Sequence, residues 1–446
     1  MVTSGLLSSL LALPGLAFFS LSASALPHPQ TASSTSILKL AVRINSYGIK
    51  NIAVADRARI QTLQAGGSSS ISLTNNVTTY TADIGVGSPA MYCKLLVVLQ
   101  FLYLTYCRFH TDTVLVDTGS SNTWIGANKA YTKTATSEDT GNTFSVQYGI
   151  GSVSGEEYTD TVTLNSDLVI ENQSIGGWMA WILGLGPVDL TQGTVSNTDE
   201  VATVTDNLYK QRTIGSEVLG VFFAPASSDD SSGELTFGGY DSSKITGDIS
   251  YVPITSTSPA STYWGIDQSI SYGSMPILDE TAGIVDTGTT LILLASDAFD
   301  KYQSATGATC NAEVGLLQIS SDQYKKLSFL YFTIGGVTYE LTPNAQIWPR
   351  SLNSAIGGTI NGIYLVVSST GTPSDSGLDF TNGYCFLERF YSVFDTTNSR
   401  VGFATTKYTD ATTNYIHKEL AAERQGHSFC LHVELPAHKE RAHLVM

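Results

Sequence analysis

Residues 114–121 read VLVDTGSS, and residues 283–290 read GIVDTGTT. In each stretch, apolar residues typical of a buried strand lead into Asp-Thr-Gly and then into two hydroxyl-bearing residues. The copies lie 169 residues apart, which is about the length of one domain. A single Asp-Thr-Gly is an ordinary turn sequence, but two copies behind two apolar strands indicate an internal duplication.

The duplicated motif predicts a site with two carboxylates, Asp117 and Asp286. Two carboxylates held close together do not both ionise easily, so the pKa of one rises and that of the other falls. Such a pair shares a proton. One member can act as a base towards water while the other acts as an acid towards a substrate carbonyl.

The residues after each aspartate suit this arrangement. Gly119 and Gly288 would let the backbone approach the carboxylates without a β-carbon. We expect Thr118 and Thr287 to form hydrogen bonds to the opposite loop and hold the two halves in register. The corresponding hydroxyls, Ser120 and Thr289, would donate to the outer carboxylate oxygens and favour ionisation.

Composition excludes several other functions. The chain has 446 residues, of which 42% are hydrophobic and 10% aromatic, so intrinsic disorder is excluded as its main state. Its net charge of −16 argues against nucleic acid as a partner, because phosphate binding depends on Lys and Arg. None of the 7 histidines lies between residues 111 and 416. This excludes a histidine base or a histidine-ligated zinc in the body of the chain.

The first 65 residues are predicted to be processed. An apolar run over residues 5–20 precedes Ala23-Ser24-Ala25, so we interpret residues 1–25 as a signal peptide. Residues 26–65 contain Lys39, Arg43, Lys50, Arg57 and Arg59, and include the helix-compatible stretch IAVADRARIQTLQ. A basic segment ahead of an acidic body predicts a propeptide that docks electrostatically and leaves at low pH. The alternative is a linker or a surface helix.

From about residue 66, short runs rich in Val, Ile, Thr, Tyr and Phe alternate with Gly, Asn, Asp and Ser down to about residue 407. This texture predicts a mainly β, that is all-β, protein. Helices are predicted over residues 296–306 and 320–327.

The chain resembles the pepsin-like aspartic endopeptidases and looks most like the secreted basidiomycete enzymes of the polyporopepsin type. The resemblance covers roughly residues 76–410. The matching features beyond the two Asp-Thr-Gly motifs are Trp124, VQYGIGS at 146–152, GELTFGGYDSSKITGDISYVPI at 233–254, YWGID at 263–267, and Gly383 followed by FLERFYSVFD at 386–395.

This resemblance implies a bilobal, pseudo-symmetric β fold with one aspartate from each lobe and an extended peptide in the cleft between them. It also implies that Tyr148 and Gly149 lie on a flap over that peptide, with Tyr148 hydrogen-bonded to Trp124. The expected boundaries are residues 66–239 for the N-terminal lobe, 240–410 for the C-terminal lobe and 411–446 for an irregular tail.

Three segments depart from the family pattern. Residues 91–110 read as an insertion of about twenty residues before the strand of the first aspartate. The stretch 177–181 holds Ala180 and Trp181 where the family usually has Asp-Gly. We interpret these segments and the tail after residue 411 as retained or mis-joined exon sequence. If they are genuine, the N-terminal lobe is expected to be strained.

The 5 cysteines are too sparse for a dense disulfide framework. A disulfide between Cys310 and Cys385 and two separate thiols are equally compatible with the sequence. Asn76 and Asn172 each begin an Asn-X-Ser/Thr sequon, which suits a secreted glycoprotein.

The sequence therefore predicts a secreted, acid-active aspartic endopeptidase made as a zymogen, with no cofactor and no metal. Its expected partners are peptide or protein substrates and pepstatin-type inhibitors. We expect a monomer, extracellular or alternatively vacuolar, with no membrane attachment after signal removal. The first alternative is a catalytically impaired, peptide-binding relative, because of segments 91–110 and 177–181. The second is a secreted β-rich glycan-binding or wall protein, for which the duplicated motif would be a coincidence.

Overall fold

A computed structural model describes residues 35–44, 51–65, 78–87, 111–125, 131–148, 151–177, 182–228, 230 and 232–415. They all belong to one unit of the chain, Ser33–Met446. The strands are β1 Ser36–Ile44, β2 Thr78–Val86, β3 Thr111–Asp117, β4 Thr123–Ile125, β5 Glu138–Tyr148, β6 Gly151–Asn165, β7 Leu168–Gly177, β8 Ile182–Gly184, β9 Val218–Phe223, β10 Ser232–Phe237, β11 Ser250–Pro253, β12 Gly265–Tyr272, β13 Met275–Val285, β14 Ile292–Leu294, β15 Thr309–Cys310, β16 Leu317–Ile319, β17 Leu330–Ile334, β18 Val337–Leu341, β19 Ile363–Tyr364, β20 Val367–Ser369, β21 Phe380–Asn382, β22 Phe390–Asp395 and β23 Arg400–Thr405.

Helices are few and short by comparison. The α-helices are α1 Ile52–Gln64, α2 Val204–Lys210, α3 Ser296–Thr306, α4 Ser321–Tyr324 and α5 Tyr384–Leu387. The 3-10 helices are Val188–Thr191, Ser242–Lys244, Ala260–Thr262 and Arg350–Ile356. The prediction of a mainly β, two-lobed fold is confirmed. The helix predicted over residues 296–306 is confirmed as α3, whereas only part of 320–327 is helical, as α4.

The two Asp-Thr-Gly motifs lie at equivalent places in two similar arrangements of strands. In the first, β3 pairs antiparallel with β2 and parallel with β8. In the second, β13 pairs antiparallel with β12 and parallel with β21. The registers match as well, since Val116 lies opposite Leu183 and Val285 lies opposite Asn382. The internal duplication seen in the sequence is therefore also a duplication of local topology.

The predicted lobes share one large sheet. In its order, β11-β23-β22-β9-β10-β1-β2-β3-β8-β4-β7-β6-β5, strands from both ends of the chain are neighbours. The predicted boundary between residues 239 and 240 thus separates β9 and β10 from β22 and β23, although backbone hydrogen bonds join β9 to β22. Two further sheets, β18-β17-β12-β13-β21-β14-β20 and β15-β16-β19, complete the described part of the second half.

The segment interpreted as a propeptide contributes a strand to that large sheet. β1 lies between β10 and β2 and is antiparallel to both. Buried and exposed side chains alternate along β1, with Leu38 and Leu40 buried and Lys39 exposed. This alternation is expected for a strand with one face on the core. The Lys39 ammonium contacts the buried carboxylate of Glu234 on β10 at 2.5 Å.

Helix α1 follows in the same segment and matches the predicted helix-compatible stretch. Asn51 caps its first turn by accepting a hydrogen bond from the backbone N–H of Val54 at 3.1 Å. Ile52, Ile60 and Leu63 recur at helical spacing and are buried, so one face of the helix is packed against the protein. This burial does not suit a linker, whereas a surface helix also packs one face on the core.

The two cysteines among the described residues lie in different environments. Cys310 is exposed on β15 and Cys385 is buried in α5, and both are free thiols. The disulfide considered from the sequence is therefore not formed, because one thiol lies at the surface and the other in the interior. Segment 91–110, residues 178–181 and the tail from residue 416 lie outside the described residues. Among the described helices, none is long and apolar enough to cross a membrane.

Candidate active site

The two predicted aspartates meet in the interior. Asp117 is the last residue of β3, and Asp286 directly follows β13. Each strand is buried where it approaches its aspartate, and both carboxylates are fully inaccessible to solvent. Because β3 and β13 end at equivalent places, the two Asp-Thr-Gly loops that follow them meet.

Thr118 and Thr287 link the loops reciprocally. The Thr118 N–H donates to Thr287 Oγ1 at 2.9 Å, and the Thr287 N–H donates to Thr118 Oγ1 at 3.0 Å. The Thr287 hydroxyl in turn donates to the carbonyl of Val116 at 3.0 Å. Because these groups are buried, breaking the link would leave polar atoms without partners. The threonines therefore fix the two halves relative to each other.

Each carboxylate also receives hydrogen bonds from its own loop. Ser120 Oγ donates to Asp117 Oδ2 at 2.8 Å, and Thr289 Oγ1 donates to Asp286 Oδ2 at 2.5 Å. The N–H of the glycine two residues after each aspartate donates to its Oδ1, at 3.0 Å for Asp117 and 2.9 Å for Asp286. Donors of this kind stabilise the ionised form of a carboxyl group.

Gly119 and Gly288 permit close approach of the two loops. A β-carbon on Gly119 would lie 2.7 Å from Asp286 Oδ1, and one on Gly288 would lie 2.5 Å from Asp117 Oδ1. Both distances are shorter than a nonbonded contact allows, so a larger residue at either position would push the opposite carboxylate away.

A buried guanidinium bridges the two aspartates. Arg59 of helix α1 donates from Nη2 to Asp117 Oδ1 at 2.6 Å and from Nε to Asp286 Oδ2 at 2.8 Å. A third hydrogen bond runs from Nη2 to Asp286 Oδ1 at 3.1 Å. All three side chains are fully buried. In this form of the chain, the space between the carboxylates is therefore filled by a side chain of the N-terminal segment.

The environments of the two aspartates differ electrostatically. Burial raises the pKa of Asp117 to about 6, although the charge of Arg59 opposes the rise. Burial would also raise the pKa of Asp286, but the charge and hydrogen bonds of Arg59, with the donors from Thr289 and Gly288, hold it below its ordinary value. With Arg59 between the carboxylates, ionisation of Asp286 is therefore favoured over ionisation of Asp117.

Other residues of α1 anchor it to the second half of the chain. The Tyr263 hydroxyl donates to the carbonyl of Leu63 at 3.1 Å, and Gln64 Nε2 donates to Thr372 Oγ1 at 2.8 Å. The buried carboxylate of Asp56 accepts the backbone N–H of Leu291 at 2.8 Å. Burial raises the pKa of Asp56 to about 7.

The predicted flap is described only in part. Tyr148 ends β5 and pairs with Gly151, which begins β6, so the backbone forms the expected hairpin. The side chain of Tyr148 and the whole of Gly149 lie outside the described residues, and the Tyr148–Trp124 hydrogen bond stays a prediction. Trp124 is buried and packs against Phe144 with ring centroids 5.0 Å apart.

The two sequons differ in how far they are described. Asn172 is exposed on β7 with a left-handed φ of 54°, a conformation that Asn tolerates better than most residues. Ser174, the third residue of its sequon, is buried and donates to Glu157. Asn76 lies outside the described residues.

Sequence reasoning missed two residues of this site, Arg59 and Asp56. Both lie on the buried face of α1, one helical turn apart, at the spacing of Ile52, Ile60 and Leu63. A helical projection of IAVADRARIQTLQ would have placed a carboxylate and a guanidinium on its apolar face. Charged residues are rarely buried without partners, so that projection would have indicated a specific docking site.

Comparison with known proteins gives consistent matches. Residues 109–406 match the family model described as eukaryotic aspartyl protease. Polyporopepsin of Irpex lacteus is 56% identical over 357 residues, which cover 77% of this chain and 99% of that protein. Cathepsin E of Rattus norvegicus is 31% identical over 322 residues, 66% of this chain and 76% of that protein. The crystal structure of the aspartic proteinase from Irpex lacteus has a TM-score of 0.70 at 50% identity, covering 85% of this chain and 100% of that one.

Proposed function

Because this chain belongs to the eukaryotic aspartyl proteases and is an aspartic endopeptidase, we propose that it cleaves peptide bonds with Asp117 and Asp286 in acid. We further propose that it is made as an inactive precursor and secreted. The observation that carries the proposal is the pair of buried carboxylates, each held by donors from its own Asp-Thr-Gly loop.

The asymmetry of the pair suggests the roles in the reaction. The lowered pKa of Asp286 depends mainly on Arg59, which leaves on activation, whereas the donors from Thr289 and Gly288 remain. Because the hydroxyl hydrogen bond to Asp286, at 2.5 Å, is shorter than the one to Asp117, at 2.8 Å, Asp286 would be the ionised base that removes a proton from the attacking water. Asp117 would carry the proton and donate it towards the substrate carbonyl oxygen. Water attacks directly, so no covalent intermediate forms. Activity then requires one protonated carboxyl group and falls as the pH approaches neutrality.

The position of Arg59 supports the precursor. Its guanidinium occupies the space between the carboxylates where water and a scissile bond would have to lie. Helix α1 and strand β1 both belong to the predicted propeptide, residues 26–65. Activation would therefore require that α1 leave the dyad. The 13 residues of α1 are held by polar contacts as well as by apolar packing. This suits a segment that leaves when the carboxylates bound to Arg59 become protonated.

The remaining features are proposed from the sequence pattern. Residues 1–25 would direct secretion, and the exposed Asn172 side chain on β7 would carry a glycan. After release of α1, the cleft would accept an extended peptide or a pepstatin-type inhibitor under the β5–β6 hairpin. The two lobes would be residues 66–239 and 240–410, and we expect a monomer.

The test is protein-substrate cleavage by the full chain after acid treatment, measured from pH 2 to 8 with and without pepstatin. We expect pepstatin-sensitive cleavage in acid, which Asp286→Asn abolishes. Asp322→Asn, which changes an exposed acid on α4, is the matched control and should leave the rate unchanged. A best rate above pH 7, or an active Asp286→Asn variant, would refute the proposal.

The other two interpretations have distinct signatures. Inhibitor binding without proteolysis would indicate the catalytically impaired relative, but the complete set of carboxylates and donors does not favour it. Retention on polysaccharide that survives loss of either aspartate would indicate the wall-protein interpretation.

A further inference from the structure

A pair of amide side chains is buried beneath the loop of Asp286. Gln268 Nε2 donates to Asn382 Oδ1 at 3.2 Å, and Asn382 Nδ2 donates to Gln268 Oε1 at 2.9 Å. Both residues are completely inaccessible to solvent. The two hydrogen bonds are reciprocal, so each side chain supplies one donor and one acceptor to the other.

The amide pair is one residue removed from the second aspartate. Asn382 is the last residue of β21, and its backbone carbonyl accepts the N–H of Asp286 at 3.2 Å. Gln268 lies on β12, the strand on the other side of β13. The pair therefore joins β12 to β21, the two strands on either side of β13, near the end of β13 that Asp286 follows.

The first half of the chain has no such pair at the equivalent positions. On β2, Ile84 lies opposite Asp112 of β3. On β12, Gln268 lies opposite Thr281 of β13. The two positions are equivalent because Asp112 precedes Asp117 by as many residues as Thr281 precedes Asp286. Leu183 lies opposite Val116 just as Asn382 lies opposite Val285. Ile84 and Leu183 are buried and apolar. The same fold position is thus filled by hydrocarbon under Asp117 and by two amides under Asp286.

Packing alone does not explain why amides lie under Asp286 and apolar side chains under Asp117. Ile84 and Leu183 show that apolar side chains satisfy the packing, whereas buried amides lose their hydrogen bonds to water on folding. A buried amide pair is stable in only one relative geometry, because a small displacement breaks both hydrogen bonds at once. Polar pairs in an interior therefore restrain position more sharply than apolar contacts do.

We infer that Gln268 and Asn382 are positioning residues that hold the Asp286 loop through the backbone of β21. The inference rests on the proposed function in so far as it assigns catalysis to Asp286. The pair touches neither substrate nor the reacting carboxylates, so it would act on the turnover step rather than on substrate binding.

The expected consequence follows from the contacts of the loop. The donors to Asp286, the Gly288 N–H and the Thr289 hydroxyl, lie on the same loop that Asn382 restrains. If the loop loosens, these hydrogen bonds lengthen and favour the ionised carboxylate less. Asp286 then ionises at a higher pH, and the acidic limb of the kcat/KM profile moves towards neutrality.

The experiment compares Gln268→Ile, Asn382→Leu and the double variant, which copies the pair found under Asp117. Each protein is expressed as the full chain, processed in acid, and measured for thermal unfolding, kcat, KM and pH profile. We expect each single variant to unfold at a lower temperature because it leaves one amide without a partner. The double variant should regain stability, with kcat about 10-fold lower, KM within 2-fold, and an acidic limb about half a pH unit higher.

The control variant changes the equivalent position in the first half of the chain. Ile84→Leu, an isomeric swap at the equivalent position, should change neither kcat nor the pH profile. A double variant with the kcat and pH profile of the natural sequence would overturn the inference and leave the pair a packing feature. If the processed natural chain cleaves no substrate, the proposed function fails. The pH dependence of pepstatin binding then decides the inference, and superimposable curves for the natural chain and the double variant would refute it.

Discussion

Replacement of Arg59 by glutamine tests whether α1 blocks the dyad. Arg59 forms three hydrogen bonds to two carboxylates, and all three side chains are fully buried. Removing one partner of a buried ion pair generally costs about 3–5 kcal/mol. Here the two carboxylates can share a proton after the loss, which relieves part of the repulsion. The lower end, about 3 kcal/mol, is therefore the appropriate figure for weakened docking of α1.

This figure corresponds to an increase of roughly 100-fold in the population with an open cleft. The assay is binding of a fluorescent pepstatin-type inhibitor to unprocessed precursor at pH 6, where the segment is expected to stay attached. Because the inhibitor binds only the open form, its apparent affinity should rise by the same factor. Arg59→Lys retains the charge but loses the planar set of donors, so an intermediate increase is expected.

Arg57→Gln is the matched control on the same helix. Arg57 Nε donates to the carbonyl of Ser369 at 3.2 Å and contacts neither aspartate. A partly exposed hydrogen bond of this kind contributes about 1 kcal/mol, so the affinity should change by less than about 10-fold. The reasoning is refuted if Arg59→Gln leaves the affinity unchanged, or if Arg57→Gln raises it as much.

Three further changes have defined outcomes. Asp56→Asn keeps an acceptor for the Leu291 N–H but removes a buried carboxyl group, the pKa of which burial raises to about 7. The thermal stability of this precursor should therefore exceed that of the natural one increasingly as the pH rises from 5 to 8. Gly288→Ala should lower kcat of the processed enzyme at least 100-fold with the circular dichroism spectrum retained, because the new β-carbon displaces Asp117. Thr287→Val should lower the free energy of unfolding by about 1–3 kcal/mol, measured in urea, whereas Thr287→Ser, which keeps the hydroxyl, should lower it much less.

The fold and the meeting of the two Asp-Thr-Gly loops were predictable because their determinants are local and repeated. An apolar strand followed by Asp-Thr-Gly occurs twice, and the alternation of β-rich runs with turn residues continues through both halves. The bounds of α1 and α3 also follow from local patterns, since helix periodicity and capping operate within a few residues. What these elements contact is set by residues distant in sequence.

The contacts of the N-terminal segment were predicted only in outline for that reason. Basic residues ahead of an acidic body indicate docking, but nothing local to the segment shows which arginine reaches the aspartates. Arg59 meets Asp286 across 227 residues of sequence. Likewise, β1 becomes a strand by pairing with β10, which follows it by almost two hundred residues. A strand inserted between distant partners leaves a weaker sequence signal than a hairpin, whose two strands are neighbours.

The two charged residues of α1 respond to acid in opposite directions. Arg59 lowers the pKa of Asp286, so this ion pair stabilises the docked helix at neutral pH and is lost as the pH falls through that lowered value. Burial raises the pKa of Asp56 to about 7, so Asp56 takes up a proton on docking and favours the docked state as the pH falls from 7 towards 4. Since the gain at Asp56 comes at higher pH than the loss at Asp286, the helix should stay docked in mild acid. It should be released only where Asp286 becomes protonated.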